Sequence, residues 1–272
     1  MDEALRVAVW GAGVLAAGCW VLSLVFREYS WVDRVWSLAP PVYAGWFCFA
    51  GDLAPRLVLM AVLIAAWGGR LTYNFARKGG YAKGGEDYRW AVMREKMGPV
   101  TWQLFNIGFI CAFQHALILA FTLPMWMAMQ QEPSPLHAGD VVVAGALLLL
   151  LVGETLADQQ QWVFQSDKKR RIERGDPVTR QFVTTGLWRY SRHPNFFCEM
   201  GIWWMVYAFS VTAGAPWLNP TILGVLALMA VFMGSTPLTE SITLSKYPEY
   251  ADYQRRTSRL IPWWPRQRET PR

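Results

Sequence analysis

The densest run of chemically capable residues in this 272-residue chain is Trp188-Arg189-Tyr190-Ser191-Arg192-His193-Pro194-Asn195-Phe196-Phe197-Cys198-Glu199. Pro194 suits the first turn of a helix, where a fixed φ helps and a missing N–H costs nothing. The unpaired N–H groups of such a start, with Arg192 and His193 beside them, make an anion site. Asn195 and Glu199 fall on one helical face. A capped helix start flanked by snorkelling arginines accounts for the same residues without any ligand. Other ionisable groups stand in or beside apolar segments: Asp33, Arg70, Glu154, Asp158 and Glu240. Each costs several kcal/mol there unless it faces a partner or a polar cavity. Interhelical ion pairs would explain any one of them. As a set, mostly on one half of a bundle, they outline a polar pocket open to the cytosol. The run Lys168-Lys169-Arg170-Arg171-Ile172-Glu173-Arg174 reads first as an anchor on anionic lipid, with one or two members available to a phosphate.

The elements that position these groups are membrane helices. Hydrophobic residues make up 53% of the chain and charged residues 17%, against about 25% in an ordinary soluble domain. The charges come in blocks between long apolar stretches. This excludes a disordered chain, a coiled coil and a small disulfide scaffold. Seven spans are expected, at Val7–Phe26, Val35–Ala50, Leu57–Phe75, Trp102–Met129, Val141–Leu156, Phe196–Val211 and Thr221–Gly234. All basic residues except Arg6, Arg56 and Arg70 lie in segments 27–34, 77–100, 158–194 and the tail from 239. With seven spans these segments share one side, which places the N-terminus outside and the C-terminus in the cytosol. The net charge of +6 is therefore topological, and no nucleic-acid partner is expected. Membrane lipid is.

The fold class is thus an all-α integral membrane protein, one domain over residues 1–272, with no cleavable signal peptide. The four cysteines are scattered singly, and His115 and His137 lack ligand spacing, so no metal is expected. Gly11-Ala12-Gly13 with Gly18 imitates a dinucleotide fingerprint. It lies in a membrane helix, where small residues serve close packing.

The run Gly186–Phe196, continued by Glu199 and Trp203, resembles the C-terminal domain of the steroid 5α-reductase (3-oxo-5α-steroid 4-dehydrogenase) family, its bacterial branch above all. Tyr250-Ala251-Asp252-Tyr253-Gln254-Arg255-Arg256 with Leu260-Ile261-Pro262-Trp263 is also similar. So are Ser30–Trp36, Trp67–Tyr73, and Asp158 with Gln159 and Phe164. The resemblance is strongest over 150–263. It implies a seven-helix reductase, in a bacterial inner membrane, that takes NADPH from the cytosol and saturates the C=C bond of an enone. A 3-oxo-Δ4 steroid or an isoprenoid-like enone is the expected small hydrophobic substrate. Hydride addition to the β-carbon makes an enolate, so the carbonyl oxygen needs a hydrogen-bond donor or proton source.

The resemblance also assigns residues. Asn195 and Glu199 stand near the nicotinamide end, with Glu199 accepting from the carboxamide or orienting a neighbouring donor. Tyr190, Arg192 and His193 suit ribose and pyrophosphate, and Asp158 a ribose or adenine hydrogen bond. Arg70 and Arg77 reach toward phosphate, and Lys168 or Lys169 toward the 2′-phosphate. Trp36, Trp67 and Gln114 line the substrate pocket. Asp33, if protonated, or Tyr73 would polarise the carbonyl. The family's steroid enzymes pair a tyrosine with a glutamate, and Trp67 occupies the tyrosine's place here. An indole donates a hydrogen bond but supplies no proton.

Arg192-His193-Pro194-Asn195 is similar as well to a motif of membrane methyltransferases of the isoprenylcysteine and phospholipid type. Those place adjacent glutamates after the last helix to serve S-adenosylmethionine. Here Glu240 is followed by Ser241, which breaks the pair. The basic run also suits a phosphorylated dinucleotide better than a sulfonium. A third reading is a non-enzymatic lipid- or sterol-binding protein.

Overall fold

The computed structural model describes residues 1–266; Arg268 and Arg272 of the basic tail lie outside them. The described residues form helices and no β-strand, with one isolated bridge between Ser191 and Ser258. They divide into two compact units, Met1–Gly145 with Trp203–Leu228, and Ala146–Ile202 with Met229–Arg272.

The first unit opens with α1 (Glu3–Phe26), whose N-cap Asp2 accepts from the Leu5 N–H at 2.7 Å. The chain then breaks between α2 (Trp31–Trp36) and α3 (Ala39–Ala50). Pro40 and Pro41 follow the break, and proline belongs in a first turn rather than inside a helix. Next come α4 (Pro55–Arg77), α5 (Tyr88–Glu95) and α6 (Pro99–Phe105), then a π-helix (Asn106–Phe113) that runs into α7 (Gln114–Met129). The core is aromatic. Trp203 meets Trp67 edge-on at 4.9 Å between centroids and lies 4.2 Å from Phe121. Such pairs add about 0.5–1.5 kcal/mol each to burial. Gly68 lets α4 lie against α3 and the break before it, because a Cβ there would sit 2.5 Å from the Pro41 side chain and 2.6 Å from the Ser37 carbonyl. Buried polar groups along the π-helix are paired: Asn106 Nδ2 donates to Ser23 Oγ at 2.8 Å, and His115 Nδ1 to the Cys111 carbonyl at 2.7 Å. Without water, each group left unpaired would cost several kcal/mol.

The second unit holds most of α8 (Ala138–Arg174), the start of α9 (Pro194–Thr212) and the later part of α10 (Ile222–Lys246). A 3₁₀ turn (Gly186–Arg189) and α11 (Tyr250–Arg256) complete it. α8 and α9 run antiparallel at close range. A Cβ on Gly153 would come 3.0 Å from Cys198 Sγ, and one on Gly201 would come 2.9 Å from the Leu150 side chain. Small residues permit that approach where no hydrophobic effect drives helices together.

Among the described residues, five helical stretches are long and apolar enough to cross a membrane: Glu3–Phe26, Pro55–Arg77, Pro99–Met129, Ala138–Arg174 and Ile222–Lys246. The remaining two expected spans fall on shorter helices. α3 has 12 residues, about 18 Å at 1.5 Å per residue, against a hydrocarbon core of about 30 Å. α9 has 19.

Candidate functional site

Within the second unit, α8 changes character after Leu156. Its apolar run gives way to Asp158, Gln159, Gln160 and Gln161, and the loop before α9 is tied to it there. The Trp188 indole donates to the Ala157 carbonyl at 3.0 Å, and the Leu187 N–H to Gln160 Oε1 at 2.9 Å. Gly186 makes the turn at φ 64, and any side chain on it would collide with Gln160.

From that turn the chain enters an ionic clamp. Arg192 Nε donates to Glu240 Oε1 at 2.7 Å and Nη2 to Oε2 at 3.1 Å, a bidentate fork. Its Nη1 donates to the carbonyls of Gln254 (2.8 Å) and Thr257 (2.6 Å). Glu240 also accepts from His193 Nε2 at 2.9 Å and from Gln254 Nε2 at 2.8 Å. The Tyr253 hydroxyl donates to the Trp188 carbonyl. Burial, more than any neighbouring charge, pushes the Tyr250 and Tyr253 hydroxyls well above the usual tyrosine range, so both stay neutral. Ser191 closes the arrangement, accepting from the His193 N–H at 3.1 Å and donating to the Leu260 carbonyl at 2.8 Å.

In the first turn of α9 the environment differs. Asn195 Nδ2 faces Asp158 Oδ1 at 3.5 Å, the outer limit of a hydrogen bond. Asn195 Oδ1 is buried and, among the described residues, has no hydrogen-bond partner; Gln161 Oε1 on α8 is in the same state. Glu199, Asp158 and Glu154 are all buried. The structure thus brings Asp158 and Asn195 together and places Glu199 one turn further along the Asn195 face.

The remaining expected residues of this unit lie at its margin. Lys168 Nζ donates to the Gln181 carbonyl and to the Tyr247 hydroxyl, each at 2.9 Å, and sits 4.5 Å above the Tyr247 ring. Lys169 is exposed and pairs loosely with Glu173 at 3.8 Å. Tyr190 is half-buried, its ring edge-on to Trp264 at 5.2 Å.

The other expected residues belong to the first unit. Trp67 is completely buried in its aromatic core, Trp36 lies 6.0 Å from Phe121, and Gln114 is buried at the start of α7. Asp33 Oδ2 accepts from the Trp90 indole at 2.9 Å. Withdrawal from water pushes the Asp33 carboxyl above the usual range, aided by Asp87 and opposed by the Trp90 and Ser30 hydrogen bonds and by Arg89. Tyr73 is 66% exposed, with the Arg77 guanidinium 5.4 Å above its ring. Arg77 Nε donates to Asn74 Oδ1 at 2.9 Å, and Arg70 is half-buried on the same helix.

Sequence reasoning missed the partners of Glu240. His193 and Arg192 lie 47 and 48 residues before it and Gln254 lies 14 after it, and no local spacing encodes them. It also missed the acceptors on Asn195 and Gln161, although the glutamine run after Leu156 was a visible sign of a polar helix face.

Helices of this length and apolarity around buried, paired polar groups define a multi-pass membrane protein. Residues 19–257 match a family described as proteins of unknown function (DUF1295), and the chain belongs to that family. It is also 37% identical over 264 residues to an uncharacterized protein of the fission yeast Schizosaccharomyces pombe, an alignment covering 92% of this chain and 77% of that protein. No solved structure matches it.

Proposed function

We propose that the protein is an NADPH-dependent membrane reductase that saturates the C=C bond of a hydrophobic enone, such as a 3-oxo-Δ4 steroid. The observation that supports this reading is the buried Asn195 Oδ1, an acceptor with no partner among the described residues, beside Asp158 and on the face of Glu199. A carboxamide offers the N–H donors such an acceptor lacks, so these residues fit the nicotinamide end of the cofactor. Bound there, the dinucleotide supplies a hydride; the chain's own groups orient it and keep water out. Asp158 takes a hydroxyl or amine donor, and Tyr190 flanks the ribose. Lys169, held only by an exposed pair worth less than about 1 kcal/mol, is free to turn to a 2′-phosphate; Lys168 stays in its tyrosine contact. Arg192 and His193, both engaged with Glu240, set the direction of α9 and so position Asn195 and Glu199. Arg70 and Arg77 serve as further phosphate ligands. Asp33, whose carboxyl is pushed above the usual range by withdrawal from water, or Tyr73 is the proposed donor to the substrate oxygen, with Trp36, Trp67 and Gln114 as the substrate-binding residues.

The same proposal includes seven crossings with the C-terminus in the cytosol of a bacterial inner membrane. Charge asymmetry supports it, and the structure sharpens the argument at Arg56. That residue is the one basic group in the loops assigned to the outside. Its guanidinium is buried against Asp140, at 2.8 and 2.9 Å, so it does not act as a surface charge.

A methyltransferase reading is favoured less because Glu240, which would serve S-adenosylmethionine, is already occupied by Arg192, His193 and Gln254. Titration of the detergent-purified protein with NADPH and with S-adenosylmethionine decides between them. Saturable NADPH binding, then loss of reduced-nicotinamide absorbance on adding a 3-oxo-Δ4 steroid, is the expected result. Binding of S-adenosylmethionine alone overturns the reductase, and binding of neither points to the lipid- or sterol-binding protein. Glu199→Gln should abolish turnover and leave the thermal midpoint unchanged; undiminished turnover removes Glu199 from the site.

A further inference from the structure

We propose that Leu260–Pro265 is an interfacial strap, seated in the headgroup layer of a bilayer rich in anionic phospholipid. It is rigidly coupled to the loop that starts α9. The partner is a lipid surface, and the inference does not depend on the reaction.

Three observations in the second unit carry it. The segment shows the side chains that prefer a membrane–water boundary: Ile261, Trp263 and Trp264 are 67%, 70% and 71% exposed, between Arg259 and Arg266. In water such a cluster is an unexplained apolar surface. At a headgroup layer the indoles lie at the depth they favour and the arginines meet phosphate.

The second observation fixes the level of the strap. The Trp263 N–H donates to the Tyr190 carbonyl at 2.9 Å, Ser191 Oγ to the Leu260 carbonyl at 2.8 Å, and the Arg192 N–H to the Ser258 carbonyl at 2.8 Å. Residues 187 and 188 are in turn bonded to Gln160 and Ala157, where the apolar run of α8 ends. Arg192 is forked onto Glu240, just past the apolar run of α10. Two membrane-crossing helices thus independently hold the loop, and the strap with it, at the edge of the hydrocarbon.

The third is rigidity. Tyr190 packs edge-on against Trp264, and the Arg266 N–H donates back to the Arg256 carbonyl at 2.9 Å. The indoles are therefore exposed on a fixed backbone, the arrangement of an anchor. Because the same loop carries Arg192 and His193, the seating of the strap is transmitted to the direction of α9.

All four native cysteines are buried, so Ile261→Cys in the full chain takes a nitroxide label selectively. The labelled protein is reconstituted in vesicles of phosphatidylcholine, with and without phosphatidylglycerol. Collisions with oxygen should exceed those with a water-soluble nickel chelate by several-fold, and phosphatidylglycerol should further immobilise the label. Arg259→Gln with Arg266→Gln should remove only the response to phosphatidylglycerol. Chelate collisions equal to those of a label on exposed Lys169→Cys would overturn the strap, and an unchanged response in the arginine variant would overturn the anionic preference. Should the label disturb folding, quenching by lipids brominated near the glycerol end gives the same reading. The quenched fraction of the emission should be smaller in Trp263→Phe with Trp264→Phe than in the unmodified protein, the remainder coming from other exposed indoles such as Trp10 and Trp217; an equal quenched loss of emission in the two proteins would equally overturn the strap.

Discussion

Two polar groups that meet at the start of α9 differ in one respect. Around Arg192, His193 and Glu240 donors and acceptors meet within the protein: a fork, two backbone carbonyls, an imidazole and an amide. Around Asn195 one bond is at its outer limit and one buried oxygen is unused among the described residues. A closed network specifies a conformation, whereas an open one is completed by something that binds. The contrast separates residues that the sequence presents as a single motif.

The largest effect that would test the contrast lies in the closed network. Arg192→Ala strands Glu240 in a buried position, and breaking a buried pair costs about 3–5 kcal/mol. Denaturation of the detergent-solubilised protein should show a loss of that size. A variant that keeps wild-type stability and loses only cofactor affinity would move Arg192 from the clamp to the binding surface.

Asn195→Ala should behave in the opposite way. It removes an amide that contributes one long hydrogen bond to the fold, so the thermal midpoint should move little. NADPH affinity should fall about tenfold, the equivalent of roughly 1.4 kcal/mol for hydrogen bonds lost in a buried site. Unaltered affinity measured by calorimetry would remove Asn195 as a binding element.

A smaller effect distinguishes the two lysines. Lys169→Ala should weaken NADPH several-fold and leave NADH unchanged, because only the former carries the 2′-phosphate. Lys168→Ala should lower stability through the lost Tyr247 and Gln181 contacts and spare that discrimination. If Lys168→Ala abolishes the NADPH preference and Lys169→Ala does not, the roles are exchanged.

The sequence made the helices legible because apolar runs and charge blocks report burial directly. The π-helix at Asn106–Phe113 and the break at Ser37–Leu38 were less visible. In the first, Asn106 pairs with Ser23 of α1, a contact no local pattern encodes, and the second is followed by two prolines that hydropathy ignores. In the site, spacing was enough to put Asn195 and Glu199 on one face. It could not tell that Arg192 faces inward, since Glu240, Gln254 and Thr257 reach it only through the tertiary return of the C-terminal segment. Residue type therefore identified which groups are expensive to bury, and only the fold showed which are already compensated.

Asp33 extends the comparison to a second carboxylate, with the smallest expected effect. Glu240 is held by a cation, whereas Asp33 accepts from the neutral Trp90 indole and lies near the negative Asp87. Its folded-state pKa is raised, so between the ordinary aspartate value and that raised value the folded protein holds a proton the unfolded chain has released. Stability therefore declines as pH rises through this window. Asp33→Asn keeps an acceptor for Trp90 and carries no charge, so its thermal midpoint should lack this decline while the wild type retains it. If Asp33 is the carbonyl donor, wild-type turnover should fall with rising pH over the same window. Parallel midpoint profiles for the two proteins would show that Asp33 is ionised in the fold, and the donor role would pass to Tyr73.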